Sequence, residues 1–276
     1  MTTMKRYGGI WMITYSEEHL RYLKRKKRES IIVHVIRISI IALFLVIWEG
    51  LAKFEIINTF LSSSPSQVFS TAFSLIKTGN LLEHIWVTLY EVLISFFIAT
   101  AFGFITGTIL WSSKIVAKVI DPYLTILNSL PKVALGPLII IWVGASVNSI
   151  IFMALLISTF ITIINIYNGF ISTDKSYIVL LKSMKASKWK IFLKAVLPSN
   201  LVTIISTCKI NISMSLIGVI MGELLVSKSG LGYLIMYGSQ VFNINLVITS
   251  VVILGIISYL LYFVIDIFEK KFIATN

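Results

Sequence analysis

Of 276 residues, 57% are hydrophobic and only 13% are charged, with a mean hydropathy of +0.92. A soluble domain carries about 25% charged residues, so this composition cannot supply a polar surface and belongs to an integral membrane protein. The single cysteine, Cys208, excludes a disulfide framework and a cysteine-built zinc site, and the net charge of +12 has to be explained by where the 24 Lys and Arg residues lie.

Residues 1–30 form a basic segment with the run RYLKRKKRES. Two readings fit it: a topology anchor, or an attractor for anionic lipid. It lacks the short apolar core of a cleavable signal, and Met12 offers a second start. Ile31–Leu51 is the first span, its apolar centre shortened by His34, Arg37 and Glu49. Val92–Ser113 holds no charge and supplies the second. Val133–Thr173 is uncharged for 41 residues, enough for two passes of about 20 residues each, with the turn at Val143–Ser149. The earlier of these passes is expected to begin near Val119, with Asp121 and Pro122 in its first turn, where proline is tolerated. Leu201–Gly222, interrupted by Lys209, and Asn245–Ile265 complete an all-α membrane domain of six helices over 31–268, followed by a tail at 269–276.

With the N-terminus inside, cytoplasmic segments hold 18 Lys and Arg residues and outer loops hold three, Lys53, Lys77 and Lys228. That bias puts both termini and the 174–199 loop in the cytoplasm and explains the basic charge without nucleic acid. No G-x-x-x-x-G-K-[ST] occurs, so ATP is not bound through a P-loop of this chain. SGLGYLIMYG has the wrong glycine spacing for a dinucleotide fingerprint. His19, His34 and His84 are scattered and suggest no metal site, and no nucleophile–base pair or carboxylate dyad is apparent.

The stretch NSLPKVALGPLIIIWVG carries Pro131 and Pro137 in one pass, with Lys132 and Gly136 between them. Proline costs about 3 kcal/mol inside a helix, and irregular backbone at membrane depth survives only under protein or beside a watery cavity. The pair is either a simple kink or a bend that shapes a path. Lys132, Lys209, Asn211, Ser213 and Ser215 are intramembrane polar groups and hence functional candidates. Lys209 either faces such a path or snorkels to the interface.

The stretch KASKWKIFLKAVLPS weaves lysines through Trp189, Ile191, Phe192 and Val196, and Pro198 is expected to end the run. Trp189, Phe192 and Val196 share a helical face at i, i+3, i+7. From the residues alone, docking on a partner protein and lying on lipid fit equally well.

Several segments together resemble the permeases of ABC importers of the nitrate, sulfonate and taurine type. They are WEG at Trp48–Gly50, SPSQVFSTAFSLIKTGNLLEHIWVTL, IDPYLTILNSLPKVALGPLIIIWVG, KASKWKIFLKAVLP, Lys209 and GELLVSKSGLGYLI, in register from about Trp48 to Lys271. The resemblance implies a type I importer permease in the cell membrane with both termini cytoplasmic. It also implies two ATP-binding subunits, a second permease subunit, an extracytoplasmic binding protein and lipid as partners. The chain itself would be no enzyme and would bind no cofactor, with ATP on the partner ATPase. By the same resemblance 174–199 is the ATPase-coupling loop, with Leu181, Met184, Lys185, Ala186, Ser187, Trp189, Phe192, Leu197 and Pro198 as coupling residues. Pro131, Lys132, Pro137, Lys209, Asn211, Ser215 and Glu223 are the expected path residues. The transported solute falls among nitrate, sulfonates including taurine, and thiamine or flavin precursors. Three departures stand out: Val179-Leu180-Leu181 replaces Glu-Ala-Ala, Lys185 replaces a glycine, and Glu91 and Ser95 replace Arg and Gly. The rival reading is a membrane scaffold that transports nothing.

Overall fold

The computed structural model describes residues 2–7, 10–15, 17–78 and 80–275. Residues 1–66 and 67–276 form two compact units. In the first, β1 (Thr2–Tyr7) and β2 (Ile10–Tyr15) pair antiparallel with Thr2 opposite Tyr15, a hairpin that the sequence reading did not foresee. α1 (Glu17–Lys53) then runs unbroken from the basic segment into the first span. Lys, Arg and Glu are good helix formers, and Arg25 meets Glu29 one turn on at 3.0 Å, so the polar run needs no boundary of its own. Along the span Ile38, Phe44 and Val46 stand exposed, as a lipid-facing helix requires. After α2 (Thr59–Ser62), Glu49 accepts hydrogen bonds from the Ser66 backbone N–H (3.0 Å) and hydroxyl (2.9 Å), capping the start of α3 (Pro65–Lys77).

The second unit continues through α4 (Asn80–Ser112), α5 (Lys114–Ser129), a 3-10 turn (Lys132–Leu135), α6 (Gly136–Val143) and α7 (Val147–Ile171). Then follow α8 (Lys175–Ser183), α9 (Lys188–Ile191), a π-helical turn (Phe192–Val196) and α10 (Leu197–Ser199). The unit ends with α11 (Leu201–Val226), α12 (Leu231–Gln240) and α13 (Ile244–Thr275). Among the described residues five helices are long and apolar enough to cross a membrane, and the pair 114–129 with 132–143, bent by 80°, makes a broken sixth.

The broken pass departs from expectation at its start. Ser113 caps α5, its Oγ accepting the Val116 N–H at 3.4 Å, so Pro122 lies two turns inside the helix and not in its first turn. The bend itself sits at Leu130, which is extended as a residue before proline prefers. Pro131 precedes the 3-10 turn and Pro137 opens α6, so neither removes a donor that the structure needs. α13 also runs on through the expected 269–276 tail as far as Thr275.

α7 is the central helix, with α4 and α11 packed on it. Gly103 and Gly107 let α4 approach Thr162 and Ile166, and Gly218 and Gly222 let α11 approach Ala154 and Ile150. A Cβ on Gly107 would lie 2.8 Å from the Ile166 side chain. Both pairs have the small-x-x-x-small spacing that brings membrane helices into backbone contact, where dispersion and not water exclusion holds them. Val92, Ile150, Ala154, Ile212, Leu216 and Val219 fill the resulting core. A second cluster, Leu81, Leu231, Leu234, Leu246 and Ile257, seats α12 against α4 and α13.

Candidate functional site

The loop between α7 and α11 is clamped at its base. Buried Asn200 donates to Thr173 Oγ1 (2.7 Å) and to the Val196 carbonyl (2.8 Å), tying the end of the loop to its beginning. Asp174 caps α8 by accepting the Ser176 N–H at 2.8 Å; the backbone and side-chain bonds from Ser176 hold its carboxyl below the usual range. α8 closes with Lys185 at φ +57°: the Ala186 N–H reaches the Leu181 carbonyl (3.0 Å) and the Lys185 N–H reaches the Lys182 carbonyl (2.8 Å). This is the paired-bond helix stop that ordinarily uses glycine, and Leu181 and Ala186 complete it by packing on one apolar cluster. Ser187 caps α9, its Oγ accepting the Lys190 N–H at 3.4 Å.

Phe192 corrects the sequence reading. It is 1% exposed, edge-on to Phe170 at 5.3 Å and beside Trp111 at 5.2 Å, so its ring belongs to the chain's own interior and is not free for a partner. Val196 is buried with it, whereas Trp189 stacks over Phe192 at 5.4 Å and stays 60% exposed. The three side chains do lie on one face, but that face turns inward onto Phe170 and Trp111, and Trp189 stands at its edge. Pro198 does not end the run either; it lies in the first turn of α10, and the chain turns at Asn200 into α11. Outward-facing apolar groups on the loop are Val179, Leu180, Met184 and Trp189, among exposed Lys182, Lys185, Lys188 and Lys190.

The intramembrane polar residues do not converge on one cavity. Lys132 folds back on Asn128, with 2.7 Å to its carbonyl, beneath exposed Pro131. Pro137 is exposed on α6. Lys209 bridges α11 to α13, with Asp266 at 2.6 Å, Glu269 alongside and the Tyr262 ring at 4.9 Å. Asn211 is buried between α11 and α4, donating to Thr100 Oγ1 (2.6 Å) and the Phe96 carbonyl (3.2 Å), and accepts from Ser215 at 3.4 Å. Ser213 returns its hydroxyl to the Lys209 carbonyl. Glu223 is buried at the far end of α11, where it accepts from Thr88 (2.6 Å) and from the Gly232 N–H (2.5 Å). Lys209, Asn211 and Glu223 thus join helices to one another, and Ser215 supports Asn211 from within α11.

A polar cleft of about 400 Å³ opens elsewhere, between α7 and α11. Asn165 and Asn168 line it from α7, Ser172 from the residue that caps α7, and Thr203, Ser206, Thr207 and Ile210 from α11. None of these side chains carries a charge. The sequence reading missed the cleft, although the signal was available: both sets recur at helical spacing within apolar spans. Gly169 permits the approach there, since a Cβ on it would lie 2.8 Å from the Thr203 methyl.

The family of the binding-protein-dependent transport system inner membrane component matches residues 99–273. A probable ABC transporter permease protein of Haemophilus influenzae is 31% identical over 234 residues, covering 85% of this chain and 95% of that protein. A putative aliphatic sulfonates transport permease of Bacillus subtilis is 25% identical, covering 83% of each chain. A formylaminopyrimidine transport permease of Halalkalibacterium halodurans is 28% identical, covering 69% of this chain and 76% of that one. Among solved structures, a chain of the inward-facing MetNI methionine ABC transporter superposes with a TM-score of 0.63 at 20% identity, over 71% of this chain and 97% of its own. At that identity the superposition concerns the fold alone. With well over half its length matched, this chain belongs to the family of binding-protein-dependent transport system inner membrane components.

Proposed function

We propose that this ABC importer permease moves a small polar solute by alternating access, driven by an ATPase docked on the 174–199 loop. The carrying observation is the loop's construction. Its base is clamped by Asn200, its bend is set at Lys185, and its exposed apolar groups, Met184 and Trp189 above all, project away from the interior. Exposed Met and Trp side chains on a rigid support are residue types enriched at protein interfaces. The family implies an ATPase and a binding protein as partners. A second permease subunit completes the assembly by two-fold pairing. The relatives named for sulfonates and formylaminopyrimidine, together with the uncharged amide and hydroxyl lining of the α7–α11 cleft, support a small polar cargo of the sulfonate or thiamine-precursor class. The cleft, and not Lys209, is then part of the path.

The test is co-purification with the ATPase. Met184→Asp and Trp189→Asp should each release it, because an aromatic or apolar anchor at such an interface is worth about 2 kcal/mol or more. Lys188→Gln should leave it bound, since a rim charge mainly affects association rate. Full ATPase retention by both aspartate variants, with uptake unchanged, would defeat the docking surface. Phe192→Asp should instead lower the yield of folded permease, because it buries a charge in the aromatic cluster.

A further inference from the structure

α1 carries six Lys and Arg residues in the eight positions 21–28, just before its apolar stretch begins at Ile31. A helix turns by about 100° per residue, so these charges do not share one side. Arg21, Lys24, Arg25 and Arg28 follow one another along one face, and Lys26 and Lys27 lie on the opposite side. Together they form a collar. Arg25 meets Glu29, whereas Lys24, Lys26, Lys27 and Arg28 are exposed and meet no carboxylate among the described residues. Lys24 and Arg28, four positions apart, repel each other, so the helix keeps positive charge that its own residues do not neutralise.

The depth of the collar follows from the helix. α1 has neither proline nor glycine between Glu17 and Glu49, so nothing hinges the basic run away from the span. At about 1.5 Å per residue, Arg28, Lys27 and Lys26 stand about 4–8 Å beyond Ile31, the thickness of one headgroup layer. Arg25 and Lys24 lie within a further Debye length of about 8 Å. Arg37 sits on the other side of this boundary. It is exposed within the span, on the side of α1 that carries Lys26, and has no hydrogen bond or ion pair among the described residues. Helical side chains lean toward the helix N-terminus, so its guanidinium reaches back toward the collar. An unpaired cation in hydrocarbon is costly, and the headgroup phosphates are the anions within its reach.

We propose that Lys24, Lys26, Lys27, Arg28 and Arg37 form a binding site for the phosphate headgroups of anionic lipid, which surround α1 where it leaves the bilayer. A partner protein takes a helix by one face, in a groove. Charges on every side of a single helix fit a lipid layer that encloses it. Arg28 and Arg37 suit the phosphate oxygens with paired N–H groups, and the lysines add point charges. The bias that orients a chain in the membrane requires positive charge near the span. It requires neither an unneutralised ring nor an arginine inside the apolar stretch. The site lies on α1 alone, and rests neither on the 174–199 loop nor on the α7–α11 cleft.

The test uses the full-length protein with a fluorophore on one cysteine, Ser30→Cys in a Cys208→Ala background, in phosphatidylcholine nanodiscs. The discs are doped with phosphatidylglycerol or with phosphatidylcholine, each bearing the same nitroxide near the top of an acyl chain. The ratio of quenching by the two lipids reads which headgroup gathers at α1. It should be about five at about 0.1 M salt, the factor that one charge contact with anionic lipid carries, and fall toward one at about 1 M. Replacing Lys24, Lys26, Lys27 and Arg28 together by glutamine should bring it to about one, while quenching by phosphatidylcholine stays and shows the span inserted. Arg37→Gln should lower it in part, and Lys53→Gln, at the far end of the same helix, should leave it unchanged. A native ratio near one overturns the proposal and leaves the run a topology anchor only. A raised ratio that survives the four glutamines, or that ignores salt, overturns it as well. If the fourfold variant does not insert, the salt dependence of the native ratio decides.

Discussion

Lys185 holds φ +57°, a left-handed conformation that costs an L-residue with a Cβ about 1 kcal/mol relative to glycine, yet the helix stop around it is fully formed. A lysine at this position therefore leaves the bend of the 174–199 loop intact and taxes only its stability. Lys185→Gly should raise the stability of the purified permease by about 1 kcal/mol while leaving ATPase binding unchanged. A lower melting temperature in that variant would show that the lysine side chain itself holds the bend. Lys209 is the other residue whose neighbours redefine it. With Asp266 and Glu269 both against its ammonium, it straps α13 to α11 and has no face toward the polar cleft.

Elements are joined chiefly through α7, and the joints are backbone-close. Gly218 and Gly222 set the α11 approach and Gly103 and Gly107 that of α4. Lipid tails offer no hydrophobic gain for helix pairing, so this proximity carries the association. Gly218→Ala drives a methyl into the Ala154 backbone and should cost about 1–3 kcal/mol, read as a loss of thermal stability in detergent. Gly255→Ala on α13, where nothing lies within 4 Å, is the control and should be neutral or slightly stabilising. Equal behaviour of the two variants would refute the close α7–α11 contact. The broken pass belongs to this scale too. Its prolines sit at positions that need no donor, so the 80° bend follows from Leu130 and Pro131 and not from strain within a helix.

At the scale of the molecule, the orientation we propose rests on charge. The loop 174–199 carries six Lys residues and the segment after Glu223 carries Lys228 alone, the imbalance expected of a cytoplasmic and an outer face. Single cysteines placed at Lys188 and at Lys228 in a Cys208→Ala background should label oppositely with an impermeant thiol reagent. Labelling of the Lys188 position from outside intact cells would reverse the orientation, and with it the side from which the ATPase binds.

Periodicity and composition made the spans legible, because a bilayer demands about 20 apolar residues per crossing whatever the neighbours are. The family was legible as well, through its ordered motifs. Which way side chains point was not. Phe192 turned inward onto Phe170 and Trp111, a capping serine placed Pro122 mid-helix, and Lys209 found carboxylates nearly sixty residues away. The cleft between α7 and α11, and the tie of Glu223 to Thr88, arise only when helices distant in sequence are brought together. Local sequence sets how much apolar surface a helix has; the packing of glycine against backbone decides which polar groups that surface encloses.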